Sequence, residues 1–304
     1  MNFVFISPHF PSNYERFCTA LREHGVTVLG IADVPYEQLS PALRGALTDY
    51  YRVDSLEDYE SVFRAVAYFI HHHGRIDWLE SNNEYWLEQD ARLREAFHIT
   101  SGFMPEDMPR VKQKSLMKAC YQQAGVPTAR LHHVTTLDAA RAFIGQVGYP
   151  VVVKPDNGVG ACATYKLEAD GALSRFFADL PSVSYVMEQY VNRAICSYDA
   201  ILDSHGEPLF ESGDYVPYSI MDAVNTGDHQ HFTILPRLPD DLRDAGRRCV
   251  KAFGARSRFV HFEFFRLWND HPYLDRAGTI VGLEVNMRPC GGFTPDMYNY
   301  ALST

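Results

Sequence analysis

A parallel α/β layer followed by a mixed α+β region is the architecture predicted by this sequence of 304 residues. Three observations lead there. Strand and helix patterns alternate over the first hundred residues, the stretch "SGFMPEDMPR" at 101–110 interrupts them, and two period-two strands lie close together near the end. At roughly 150 residues per domain the length suggests about two domains. A hydrophobic content of 46 % is ample for their cores.

The first strand is "FVFIS", followed by the loop "PHFPS" and a helix. Ser12 and Glu15 stand at capping-box spacing, Phe17, Ala20 and Leu21 form the apolar stripe, and Gly25 is the expected stop. "VTVLGI" is a second strand. A second helix has Ser55 and Asp58 at its start, Val62, Phe63, Val66 and Ile70 inside, and Gly74 after it. "IDWLES" then reads as another strand, so the alternation over residues 1–100 indicates a small parallel α/β domain. Its first turn, "ISPHFPSNYE", lacks any G-x-G-x-x-G, which sets a dinucleotide-binding oxidoreductase aside. His71, His72 and His73 end a helix, where partial positive charge suits the dipole. Consecutive residues point in different directions, so a shared metal ion is the weaker explanation.

Beyond the linker, "KQKSLMKACYQQAG" is a helix ending at Gly125, and Thr135 is expected to cap the next, "LDAARAFIGQVG". "YPVVVKPDNGVGACATYKL" follows as a buried strand, a glycine-bearing loop and a second strand. With 28 basic against 38 acidic residues the net charge is −10, which argues against nucleic acid or an anionic membrane as the main partner. No apolar run approaches the roughly 18 residues of a membrane span, and "MNFVFISPHFPS" is neither basic nor long enough for a signal peptide. The six scattered cysteines, without a C-x-x-C pair, suggest reduced thiols and a cytoplasmic location.

The chemistry concentrates in three places. Lys154 ends the apolar strand just before Asn157, Gly158 and Gly160, and is expected to be an exposed lysine beside a loop of accessible N–H groups, a phosphate clamp. In "FVHFEFFRL", Val260, Phe262 and Phe264 face one way and His261 and Glu263 the other. In "GTIVGLEVNMRPCGG", Val281, Leu283, Val285 and Met287 alternate as a buried face, opposite Glu284, Asn286 and Arg288. An antiparallel pairing of the two strands would bring Glu263, Glu284 and Asn286 together, with Arg288 near them. Such oxygen donors suit Mg²⁺ or Mn²⁺ beside the phosphates of a nucleotide. The competing explanation is a solvent-facing strand with an ordinary Glu284–Arg288 bridge.

The order "GYPVVVKP…G-x-G", "VMEQYV", "HFEFF" and "LEVNMRP", with a lysine opening the earlier helix, resembles the ATP-grasp superfamily. The resemblance is to the branch of biotin carboxylase, the carbamoyl-phosphate synthase large subunit and carboxylate–amine ligases. It implies an N-terminal α/β pre-ATP-grasp domain at 1–109, a small lobe at 110–187 and a large lobe with the metal site at 188–304. It further implies that Lys114 and Lys154 contact ATP phosphates and that residues 156–163 form a mobile loop over the triphosphate. Glu188, Tyr190 and Val191 would border the adenine, Glu263, Glu284 and Asn286 would hold Mg²⁺ or Mn²⁺, and Arg288 would steady the transferred phosphate. Ile195 stands where the family often has a ribose-binding glutamate, with Asp199 as a weak substitute, and Ala161 and Cys162 replace the usual loop serine and arginine. Cys162 is better explained by packing than as a nucleophile.

The activity implied is activation of a small-molecule carboxylate as an acyl-phosphate for attack by an amine. Its rival is a regulatory ATP-binding module without turnover. The segment from Glu211 to Arg237 is expected to line the acceptor pocket, through Tyr215, Tyr218, His229, His231 and Arg237. The assembly is left open, with a homodimer as one form.

Overall fold

The computed structural model describes residues 1–158, 163–217 and 231–302. They form two compact units, Met1–Met108 with Gly291–Thr294, and Pro109–Cys290 with Pro295–Thr304.

In the first unit, β1 (Asn2–Ile6), α1 (Glu15–Glu23), β2 (Thr27–Ala32), α2 (Pro41–Ala46), β3 (Asp49–Arg52), α3 (Tyr59–His73), β4 (Trp78–Glu80) and α4 (Leu87–Ala96) succeed one another. The strands lie in the order β3-β2-β1-β4, all parallel. Period-two alternation in β1 explains why helices cover both faces. Val4 and Ile6 pack on Val62, Val66 and Phe69 of α3, whereas Phe3 and Phe5 pack with Cys18 of α1 and Leu43 of α2. Asp58 caps α3 by accepting from the Glu60 amide at 3.2 Å, and Gly74, at φ 82°, ends it.

The expected Ser12–Glu15 capping box does not form. Ser12 opens a short 3₁₀ turn, and Glu15, the first residue of α1, accepts a short hydrogen bond from Ser40 Oγ instead. Strand β3 and helices α2 and α4 had no sequence expectation. "DYYR" is too short and too polar at its ends to show a period. His72 bonds the Tyr68 carbonyl and His73 pairs with Asp49, so both are occupied locally.

The 101–110 stretch is less a linker than expected, because α5 (Met108–Lys112) already begins within it. In the second unit α6 (Lys114–Gln123), β5 (Leu131–His133), α7 (Leu137–Val147), β6 (Val151–Pro155), β7 (Tyr165–Leu167), α8 (Asp170–Ala178) and β8 (Tyr185–Gln189) follow. Thr136, not Thr135, caps α7. The strands form a sheet β5-β8-β6-β7, whose Val151, Val153 and Met187 bury against Phe143 and Ile144 of α7 and Phe176 of α8. A second sheet contains β9 (Arg193–Leu202), β10 (Pro208–Ser212), β11 (Asp214–Val216), β12 (Thr233–Ile234), β13 (Phe259–Leu267) and β14 (Ile280–Asn286). Its order is β12-β11-β9-β13-β14, with β10 paired to β9. Between β12 and β13 runs α9 (Asp240–Phe253), and α10 (Thr294–Leu302) closes the chain.

Helix α6 seats against this sheet through Tyr121, which is fully buried and donates from its hydroxyl to the Glu284 carbonyl at 2.6 Å. Its ring lies where a Cβ on Gly282 would stand, at 2.5 Å, so only glycine fits there. Among the described residues no helix is long and apolar enough to cross a membrane, and five cysteines are free thiols, all buried.

Candidate active site

Three strands of the second sheet set the site in rows. Strand β13 pairs antiparallel with β9 on one side and β14 on the other. The registers put Asp199, His261 and Asn286 in one row, Ser197, Glu263 and Glu284 in the next, and Ile195, Phe265 and Val281 beyond. The expected juxtaposition of Glu263 with Glu284 is therefore present, and the register also sets His261 opposite Asn286.

The expected alternation of β14 is not continuous. The register shifts at Glu263/Phe264, which face Glu284 and Gly282, so Leu283 is an extra residue, a bulge. It carries Val281 and Leu283 into an apolar cluster with Val191, Ile195 and Phe265, while Val285 and Met287 remain buried farther along. Going along the sheet, the surface thus changes from polar to acidic to apolar.

Around this platform stand three buried lysines. Helix α6 lacks a capping side chain of its own. Asp156, just past β6, supplies the cap by accepting from the Ser115 amide and hydroxyl, each at 2.8 Å. This clamp, with the Gln113–Asn157 bridge, fixes the start of α6 to the end of β6. It leaves Lys114 Nζ 3.0 Å from the Gly158 carbonyl and 3.7 Å from the Glu284 carboxylate. Lys154 is not the exposed lysine expected: it is 6 % exposed and pairs with Glu188 at 2.9 Å. Lys118, one turn after Lys114, pairs with the other oxygen of Glu188 at 2.9 Å. Sequence reasoning missed Lys118. The available signals were its i+4 spacing from Lys114 and a glutamate inside the apolar strand "YVMEQ", which demands a counter-charge.

Glu188 accordingly sits between two ammonium groups. Burial pushes its carboxyl up, but Lys118 and Lys154 together outweigh this and hold it at about 2. The lysines respond differently. Burial drives Lys118 below its ordinary value despite Glu188. For Lys154 burial also acts downward, yet Glu188 and Glu284, with Glu263, overcome it and raise the value.

Asp199 is held by side chains of the protein itself. It is buried and accepts from Ser197 Oγ at 2.5 Å and from Tyr298 of α10 at 2.7 Å, and it lies 2.7 Å from His261 Nδ1. The other ring nitrogen, Nε2, is 3.1 Å from Glu263. Burial pulls the imidazole down, but Asp199 and Glu263 on either side hold it well above its usual range. Burial raises Glu263 too, yet His261, with Arg288, outweighs it and keeps the carboxyl ionised. Arg288 donates to the Pro289 carbonyl at 2.7 Å.

Tyr190, half-buried, meets Lys166 at 4.9 Å and Arg193 at 5.2 Å over its ring, and Val191 is buried in the apolar cluster. Gly160, Ala161 and Cys162 of the loop, and Tyr218 and His229 of the acceptor segment, lie outside the described residues. Arg237 is exposed, with Asp240 at 3.8 Å. Among the described residues no group of three or more His, Cys, Asp or Glu is arranged as a metal site. The set here is two carboxylates and an amide. All three are oxygen donors of adjacent strands, which fits Mg²⁺ and not a thiolate- or imidazole-loving metal.

No protein-family model matches the chain. Alanine–anticapsin ligase of Bacillus subtilis is 25 % identical over 199 residues, covering 58 % of this chain and 41 % of that one. The chain thus spans about two fifths of the length of this curated relative. The L-amino acid ligase of Bacillus licheniformis superposes with a TM-score of 0.70 at 21 % identity, over 96 % of this chain and 68 % of its own. The biotin carboxylase domain of Hydrogenobacter thermophilus 2-oxoglutarate carboxylase, solved with MgADP and bicarbonate, gives 0.71 at 16 % identity, over 96 % and 65 %. The chain has the ATP-grasp fold. In ATP-grasp terms, the β5-β8-β6-β7 sheet with α7 and α8 is one α+β lobe, and the β9–β14 sheet is the other.

Proposed function

We propose that this chain is an ATP-dependent ligase that activates a small-molecule carboxylate as an acyl-phosphate and passes the acyl group to an amine, releasing ADP and phosphate. The observation that carries the reading is the Glu263–Glu284 pairing, with Asn286 in the adjoining row and Lys114 and Lys154 buried beside it. Pure nucleotide binding has little need of two facing carboxylates, which argues against the regulatory alternative. The names of the similar proteins, an amino-acid ligase among them, support an amino-acid-like substrate.

In this reading residues 110–187 form the small lobe and 188–304 the large one. Lys114 and Lys154 neutralise phosphate oxygens, and Glu188 holds Lys154 in place. The apolar cluster of Val191, Ile195, Phe265, Val281 and Leu283 underlies the adenine, with Tyr190 at its border. Asn157, Gly158 and Gly160 belong to the loop over the triphosphate. Glu263, Glu284 and Asn286 would hold Mg²⁺ (or Mn²⁺), which when bound supplies positive charge at the phosphate oxygens. Arg288 steadies the phosphoryl group as it moves. The γ-phosphoryl passes to a carboxylate oxygen with ADP leaving. The amine then attacks the acyl carbon, and phosphate departs with that oxygen. Positioning and charge neutralisation drive the step, so no protein nucleophile is needed. A cytoplasmic location and a homodimer fit this reading.

A screen for ADP release with Mg²⁺, across amino acids and small acids singly and in pairs, tests the proposal. Release that requires both an acid and an amine is expected. Release independent of the acid, or none with any pair, would contradict it.

A further inference from the structure

The cation site proposed above leaves His261 and Asp199 without a task. Both are buried, and both stand one row from Glu263. We propose that His261 is a positioning residue: bridging Asp199 and Glu263, it fixes the direction in which the Glu263 carboxylate is offered to a divalent cation. This rests on the ligase reading of the same platform.

The geometry supports it link by link. Asp199 Oδ2 is pinned by Ser197 at 2.5 Å and by the Tyr298 hydroxyl at 2.7 Å, leaving Oδ1 to His261 Nδ1 at 2.7 Å. The imidazole is thereby held across the β9–β13 pairing. Its Nε2 then reaches Glu263, two residues along the same strand and on the same face, at 3.1 Å. One carboxylate oxygen of Glu263 is tied, so the group cannot rotate freely. Stability alone does not call for this arrangement, since a buried ionic set replaced by well-packed apolar groups is often neutral or better. Orienting a metal-binding carboxylate does call for it, and partners of that kind typically change metal affinity by about 10–100-fold.

Two substitutions separate the links. In His261→Gln the side-chain amide falls near the Nε2 position and keeps the bond to Glu263. In His261→Asn it falls near Nδ1 and keeps the bond to Asp199 alone. Mn²⁺ binding in the presence of ADP, followed by electron paramagnetic resonance, is the probe, with metal-free ADP affinity and melting temperature as controls on folding. Binding weaker by about 10–100-fold in His261→Asn, and within a few fold of wild type in His261→Gln, is expected. A merely structural role reverses the order, because Asn keeps buried Asp199 satisfied. That reversal, or wild-type binding in both variants, would overturn the proposal. If neither variant folds, Asp199→Asn carries the test: about 10-fold weaker Mn²⁺ binding supports positioning, and no change overturns it. Glu263→Gln serves as reference. If wild type itself binds no Mn²⁺ with ADP, the ligase reading fails and this inference with it. If wild type binds and Glu263→Gln does not, while both histidine variants bind normally, only the positioning role fails.

Discussion

Replacing Glu188 with glutamine should destabilise the second unit by about 3–5 kcal/mol, because it leaves two buried ammonium groups facing each other without their shared counter-ion. Lys118 and Lys154 each lie 2.9 Å from that carboxylate, and none of the three side chains is more than slightly exposed. Urea titration of wild type and variant measures the loss. Lys118→Met added to Glu188→Gln should recover much of it, since one unpaired charge is then gone. A loss under about 1 kcal/mol, as for an exposed pair, would contradict the arrangement.

The same carboxylate predicts a pH dependence. Its folded value, about 2, is below the ordinary 4.5. The contribution is therefore complete above pH 4.5 and is lost as pH falls toward 2. At about 1.4 kcal/mol per unit, it amounts to about 3 kcal/mol. In Glu188→Gln that portion of the acid transition should be absent.

Glu284→Gln should have little effect on the metal-free protein and a large effect on its response to ligand. The consequences of removing the charge oppose each other: repulsion from Glu263 is relieved, and the attractions to Lys114, 3.7 Å away, and to Lys154 are lost. A net change under about 1 kcal/mol is expected. At a Mg²⁺·ATP concentration of about 100 Kd, wild type gains about 2.7 kcal/mol from binding. A variant whose affinity is about 100-fold lower gains only about 0.4 kcal/mol. Turnover should fall further than affinity, by about 10³-fold, because neutralisation matters most in the transition state. Thermal shift with and without Mg²⁺·ATP checks this. A variant that keeps the full shift would remove Glu284 from the metal site.

How far the sequence carried these conclusions differs from residue to residue. Glu263 and Glu284 were legible because each lies between apolar residues in one of two strands close in sequence, and their pairing follows once the strands are antiparallel, although the Leu283 bulge breaks the alternation of β14 beside Glu284. The parallel layer was legible for the same reason, from Val4 and Ile6 against the apolar faces of the helices. Lys118 was not, because a lysine on a helix reads as solvated until its partner on a distant strand is known. The depth of Lys154 was hidden likewise, since Glu188 and Glu284 come from elements 34 and 130 residues away. The partners of Asp199 were hidden too, since they are Ser197 on its own strand, His261 of β13 and Tyr298 of α10, and only the last two come from distant parts of the chain. The Leu283 bulge lies next to Gly282, over which the Tyr121 ring stands, a contact between helix and strand that no local pattern records.

The central claim is that a carboxylate is activated as an acyl-phosphate on this platform. Transfer of ¹⁸O from a labelled carboxylic acid substrate into the released inorganic phosphate tests it most directly. Each turnover with the acid and amine should deliver one labelled oxygen to phosphate and produce ADP. Turnover that yields ADP with unlabelled phosphate, or AMP and pyrophosphate instead, would contradict the account.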